Sequence, residues 1–192
     1  MNESPQQPTH RPKLNAPVWL GMIGGLLTLI NNLVATLLVG VGQALIVPFT
    51  TPFAFAIGRL LFPKLPVATL IYTPLVLVSV FTLNLGPPGP WKIAFLVAPI
   101  LTDAVAYLVG IHRYSVQEPP PLSKILIAFT PYPFGLLVGA WFALKFFGIT
   151  LPLMQNLKTA IGGASFLWIL GAASTWAAYT IFKRTLRDEL VD

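Results

Sequence analysis

The sequence predicts an all-α integral membrane protein, a six-transmembrane-helix bundle with its N- and C-termini in the cytoplasm. Three observations predict it. Of the 192 residues, 55% are hydrophobic and only 9% are charged, whereas roughly a quarter of a soluble domain is charged; the mean hydropathy is +0.76. The apolar residues gather into runs close to the roughly 20 residues that a ~30 Å hydrocarbon layer requires. The basic residues stand singly at the ends of these runs, where they set orientation.

Residues 1–16, MNESPQQPTHRPKLNA, are polar and proline-rich, with Arg11 and Lys13 directly before the first apolar run. They read as a disordered cytoplasmic tail. The transmembrane domain covers 17–182, with spans at about 17–40, 43–62, 66–84, 91–111, 123–148 and 157–182. Turn and breaker chemistry separates them: GVGQ, FPKLP, LGPPGP, HRYSVQEPPPL and ITLPLMQN. No charge interrupts residues 14–58, and Pro48 and Pro52 leave 40–53 open between helix and capping loop. Within the fifth span, FTPYPFG (129–135) carries two prolines and predicts a kinked or locally unwound helix. Residues 183–192, KRTLRDELVD, form a short cytoplasmic tail of mixed charge.

With the N-terminus inside, Arg11, Lys13, Arg59, Lys64, Arg113, Lys124, Lys183, Arg184 and Arg187 fall on the cytoplasmic side, against Lys92, Lys145 and Lys158 outside. An odd number of spans would move the C-terminal cluster to the wrong side, so the bias supports the even count.

Composition also excludes functions. There is no cysteine, hence no disulfide, thiolate metal site or cysteine nucleophile. The +6 net charge is scattered rather than gathered in a patch, so no nucleic acid is expected as partner. His10 and His112 lie in a tail and a loop, and no GxSxG serine, metal-ligand spacing or GxxxxGK[ST] occurs. Neither an enzyme nor a cofactor or metal site is expected.

One acid stands out. Asp103 lies just past the midpoint of IAFLVAPILTDAVAYLVGI, 93–111. An ionised carboxylate at mid-membrane costs about 2.5–3.5 kcal/mol, so it must find a partner in the bundle or take up a proton. Pro99, Asp103 and Tyr107, spaced by four, share one helical face. The partner is expected to be Asn31, Asn32 or a hydroxyl on a neighbouring helix, and a ligand or ion contact is the functional alternative. Asn31 and Asn32 are adjacent in the first span and point about 100° apart, so each suits a different interhelical bond.

Small residues recur at four-residue spacing: Gly21/Gly25, Gly40/Ala44, Ala54/Gly58, Gly135/Gly139, Ala160/Ala164 and Ala173/Ala177. Such pairs let helices approach closely in lipid. Towards the outer ends of the spans lie Trp91, Lys92, Trp141, Lys145, Gln155, Asn156, Lys158 and Trp168. They read either as an interfacial belt or as the rim of an outward-facing substrate pocket. Trp and Lys there would suit a flat or anionic ligand. The substrate-binding candidates are Trp91, Lys92, Trp141, Lys145, Asn156, Lys158 and Trp168.

NLGPPGPWKIAFLVAPILTDAVAYLVG, residues 84–110, resembles the GP-loop and following apolar helix, with its central Asp and Tyr-Leu-x-Gly ending, of the substrate-binding S-components of energy-coupling factor (ECF) vitamin transporters. The residues that carry the likeness are Gly89, Pro90, Asp103, Tyr107 and Gly110. The resemblance implies a membrane-embedded subunit that captures a small vitamin-like micronutrient from outside. It implies docking in trans on a transmembrane T-component with two ATPase subunits. That family docks through an Ala-x-x-x-Ala surface on its first helix, for which Gly21 and Gly25 are the nearest equivalent here. Apart from the resemblance, a self-contained carrier or channel that couples ions or protons through Asp103 and a structural or assembly membrane protein are the alternatives.

Overall fold

In the computed structural model, which describes residues 15–37, 41–81, 88–149 and 156–186, every regular element is helical. Helices α1 (Ala16–Leu37), α2 (Val41–Leu61) and α3 (Val67–Ser79) are followed by a 3₁₀ segment, Pro90–Leu96, that runs into α4 (Val97–Leu108). Then come α5 (Leu122–Phe129), α6 (Pro131–Phe147) and α7 (Leu157–Ile181), which ends in a π-helical turn, Phe182–Leu186. The helices follow the six apolar runs, with α5 and α6 sharing the fifth. Three stretches, Pro90–Leu108, Leu122–Phe147 and Lys158–Arg184, are long and apolar enough to cross a membrane, and Ala16–Ile30 and Val67–Ser79 are shorter apolar helices. Both tail ends, 1–14 and 187–192, lie outside the described residues.

Prolines explain the local geometry. Residues 41–53 are helical, with Pro48 and Pro52 inside α2. Pro52 has no N–H for the carbonyl four residues back, and beside it the Phe49 carbonyl accepts a hydrogen bond from Ser174 of α7. The α2–α7 contact is among the most extensive in the bundle, with α1 on α3 and α4 on α6. In FTPYPFG the helix is interrupted at Thr130, between α5 and α6, because Pro131 and Pro133 withdraw two donors within three residues. Thr130 compensates in part: its N–H reaches the Leu126 and Ile127 carbonyls at 3.1 and 3.2 Å, and its hydroxyl donates to Leu126 at 3.1 Å.

Small residues set the helix separations. A Cβ on Gly24 would stand 2.3 Å from the Ile71 carbonyl oxygen, one on Gly135 2.5 Å from Ala98 Cα, and one on Gly139 2.8 Å from the Ala94 oxygen. These glycines bring α1 onto α3, and α6 onto α4 and its leading 3₁₀ segment, at backbone contact. Gly58, Ala160 and Ala164 are buried as well. Gly21 and Gly25 differ: a Cβ on either would meet nothing within 4 Å. Ala173 is exposed; Gly40, and the side chain of Ala44, lie outside what is described.

The buried core falls into a main cluster and two smaller ones, the smallest formed by Ala106, Ile111 and Ala128. In the main cluster Phe55, Tyr72 and Tyr132 meet edge to face, with ring centroids 5.4–6.2 Å apart. A second cluster joins the end of α2 (Ala56, Leu60), the start of α5 (Ile125) and the end of α7 (Ala178, Phe182). That second cluster marks one end of the bundle, and Lys64, Arg113, Lys124, Lys183 and Arg184 sit there because they follow or begin those same helix ends and the end of α4. Lys92, Lys145 and Lys158 stand at the opposite ends of their helices.

Candidate functional site

The largely buried acid is held by three donors from two helices. Asp103 Oδ1 accepts from Arg59 Nη2 of α2 at 2.7 Å and from the Ala68 N–H at 3.0 Å, while Oδ2 accepts from the Thr69 N–H at 2.7 Å. Ala68 and Thr69 are in the first turn of α3. That helix begins after Pro66, whose side chain provides no cap; the Val67 N–H turns back to the Leu65 carbonyl, which leaves the next two donors, Ala68 and Thr69, to find an acceptor elsewhere. Asp103 of α4 supplies it from across the bundle, and its negative charge suits the positive end of the helix dipole. Arg59, 3% exposed, also donates to the Thr102 carbonyl at 3.1 Å. One carboxylate thus ties α2, α3 and α4 together beside the turn at 62–66.

This differs from the sequence expectation in partner and depth. The partner shown is Arg59, which the sequence did not suggest; the side chains of Asn31 and Asn32 lie outside the described residues. The contacts are to the last turn of α2 and the first turn of α3, so Asp103 sits towards the basic end rather than at mid-span. Nor do Asp103 and Tyr107 share an environment. The buried stripe of α4 is Ala98, Pro99, Thr102 and Ala106, whereas Tyr107 is 67% exposed and stacks on His112 at 4.3 Å. A four-residue step overshoots a full turn by about 40°, enough to carry Tyr107 off the face that Pro99 begins.

Beside the pair, Phe55, Arg59, Thr102, Phe129 and Thr175 line a cavity of about 10 Å³, room for about one water. Thr175 Oγ1 is buried there without a hydrogen-bond partner.

The residues read as a pocket rim are placed in several ways. Trp91 and Lys92 are buried together: Lys92 Nζ donates to the Ser79 carbonyl at the end of α3 at 2.6 Å and lies 5.6 Å from the Trp91 ring centroid. Trp91 Nε1 is buried without a partner among the described residues, and the Gly89 backbone closes over the indole, where a Cβ would come 2.7 Å from Cδ1. Trp141 and Lys145 are exposed on α6, and Lys158 is exposed on α7. Trp168 Nε1 donates to Thr130 Oγ1 at 3.3 Å, on the outside of the α5–α6 break. Asn156 caps α7, its Oδ1 accepting from the Thr159 N–H at 2.7 Å and the Thr159 hydroxyl at 2.8 Å. Of this set, the described structure brings only Trp91 and Lys92 together. Gln155 and the loop residues expected over them, 82–87 and 150–155, lie outside the described residues. Since Asn156 is a cap, Asn156→Ala is expected to cost about 1 kcal/mol of stability, measured by thermal unfolding in detergent.

Sequence reasoning missed Arg59. It sits within AIGRLLF, a lone cation flanked by apolar residues, and was read only as an orientation signal. A buried guanidinium and an acid within apolar runs of one chain are natural partners.

Comparison of the chain with protein-family models, with curated proteins and with solved structures returns no match.

Proposed function

We propose that this chain is a membrane-embedded binding subunit that captures a small vitamin-like micronutrient from outside the cell and passes it to an ATP-driven ECF-type transporter. The observation that carries the reading is the division of labour among the glycines of α1. Gly24 turns inward and seats α3, while Gly21 and Gly25, one turn apart, present backbone with open space before them. Val18, Met22 and Leu29 are exposed on the same helix. An open small-residue strip on a lipid-facing helix suits a second protein's helices, which can approach the backbone closely. In this reading the basic end of the bundle is cytoplasmic, Trp91 and Lys92 lie towards the outside, and a T-component with its two ATPases supplies the energy.

The carrier alternative has less support. All three donors around Asp103 come from the protein itself, so the acid has its charge already matched and little capacity left for a transported ion.

The test uses the small molecule that co-purifies with the protein, identified by mass spectrometry. Replacing both Gly21 and Gly25 by Leu should leave its binding by the isolated protein within about twofold, a difference well under the 1.4 kcal/mol of a tenfold change. Uptake by cells that hold the T-component and ATPases should be abolished. Uptake by the wild-type chain in cells lacking those subunits would overturn the reading.

A further inference from the structure

We propose that Arg113 and Lys124 form a binding site for a phosphate oxyanion, supplied in the membrane by the headgroup of an anionic lipid. The inference does not depend on the transport reading.

The site is built by the end of α4. Gly110 adopts the left-handed conformation, φ +77°, which stops the helix and turns the chain into a single 3₁₀ turn, Ile111–Arg113; the Arg113 N–H closes that turn on the Gly110 carbonyl at 3.2 Å. The Arg113 side chain folds back over the glycine. Lys124, in the first turn of α5, reaches the same point from the other side. Arg113 Nε and Lys124 Nζ stand 3.7 and 3.9 Å from where a Cβ on Gly110 would be.

Two cations brought to one point repel unless an anion joins them, and neither pairs with an acid among the described residues. The ion pair found among the described residues is Arg59–Asp103. Glu118, the acid of the same loop, is exposed and forms no ion pair among the described residues. Lys124 instead rests over the Tyr114 ring at 5.0 Å, a contact that holds its ammonium in place without neutralising it. Lys124 lies in the first turn of α5, which begins after Pro121 with no side-chain cap, so the positive end of that helix adds to the local charge. An oxyanion between the two side chains matches both charges, the guanidinium in particular by charge-assisted hydrogen bonds.

Position favours a lipid over free phosphate. The site lies at the basic end of a bundle with three membrane-capable helices, where helices leave the hydrocarbon layer. The last turn of α4 turns Tyr107 and Leu108 outward, 67% and 80% exposed, an apolar surface on which an acyl chain can lie.

The experiment is a thermal-unfolding titration of the full chain in neutral detergent with phosphatidylglycerol, phosphatidylcholine or inorganic phosphate. A ligand of the folded state raises Tm with its concentration. Phosphatidylglycerol is expected to raise Tm and phosphatidylcholine to leave it unchanged. In Arg113→Gln/Lys124→Gln the apparent affinity for phosphatidylglycerol should fall about tenfold or more, while the charge-matched Lys64→Gln/Lys183→Gln variant keeps it. A comparable Tm rise with inorganic phosphate, lost in the same variant, would keep the site and assign it to free phosphate. Equal phosphatidylglycerol affinity in both double variants, or an equal response to phosphatidylcholine, would overturn it. Native mass spectrometry provides a second measurement that needs no stable variant: wild-type protein should retain phosphatidylglycerol over phosphatidylcholine from an equal mixture, and absence of that preference would also overturn the proposal.

Discussion

Asp103→Asn is expected to destabilise the protein by about 3–5 kcal/mol, the cost of breaking a buried ion pair from one side. An amide looks like a mild change for an interhelical hydrogen bond, but the site is made of donors only. The Arg59 guanidinium and the Ala68 and Thr69 N–H groups all point at the carboxylate. Asparagine offers one acceptor oxygen, so its NH₂ must face one of these donors, and Arg59 keeps its charge with no counter-ion. Reversible unfolding in mixed detergent micelles reads the loss directly. A second variant isolates the cause: Arg59→Met with Asp103→Leu removes both charges and should recover part of the stability, leaving the two orphaned N–H groups as the residual deficit. A loss under 1 kcal/mol in the single variant would mean that the three contacts do not hold the fold.

Gly24→Ala and Gly25→Ala should behave oppositely, although the residues are neighbours. At Gly24 the new methyl would stand 2.3 Å from the Ile71 carbonyl oxygen and 3.0 Å from its carbon. Both are backbone atoms, so α1 and α3 must move apart. Overpacking of this kind costs typically 1–3 kcal/mol and sometimes more, and the roughly 1 kcal/mol that alanine gains over glycine in helix propensity offsets only part of it. At Gly25 the methyl meets nothing, so only the propensity gain remains and the variant should be as stable as wild type or slightly more so. Thermal unfolding of the two proteins side by side tests this; equal midpoints would mean that the inner and outer faces of α1 are misassigned.

What the sequence revealed follows the strength of each physical signal. Apolar runs and proline breakers are strong, and the helices begin and end close to them; even the interruption at Thr130 follows from the prolines at 131 and 133. The oddity of Asp103 was also legible, because an acid in an apolar run has few ways to exist. Its partner was not, since Arg59 near the end of a span looks the same whether it orients the chain or folds back into it. Small-residue spacing is ambiguous in the same way: Gly21/Gly25 and Gly135/Gly139 are equivalent as patterns, and only packing separates the open pair from the filled one. The outer set was least legible. Trp and Lys next to a span end suit a rim, a belt or a core, and here Trp91 and Lys92 are buried while Trp141 and Lys145 are exposed.

The cap that Asp103 places on α3 also bears on biogenesis. A chain enters the membrane from its N-terminus, so α2 and α3 are made before α4. Until residue 103 emerges, the hairpin between them carries an unneutralised guanidinium and two unpaired amides next to its turn, groups that hydrocarbon will not accept. The α2–α3 hairpin is therefore held near the aqueous boundary, or inside the insertion machinery, until the fourth segment arrives and completes it. Truncation after residue 90 should yield a hairpin that is poorly retained in the bilayer, and truncation after residue 111 one that is retained, a contrast that protease protection of nascent chains can resolve.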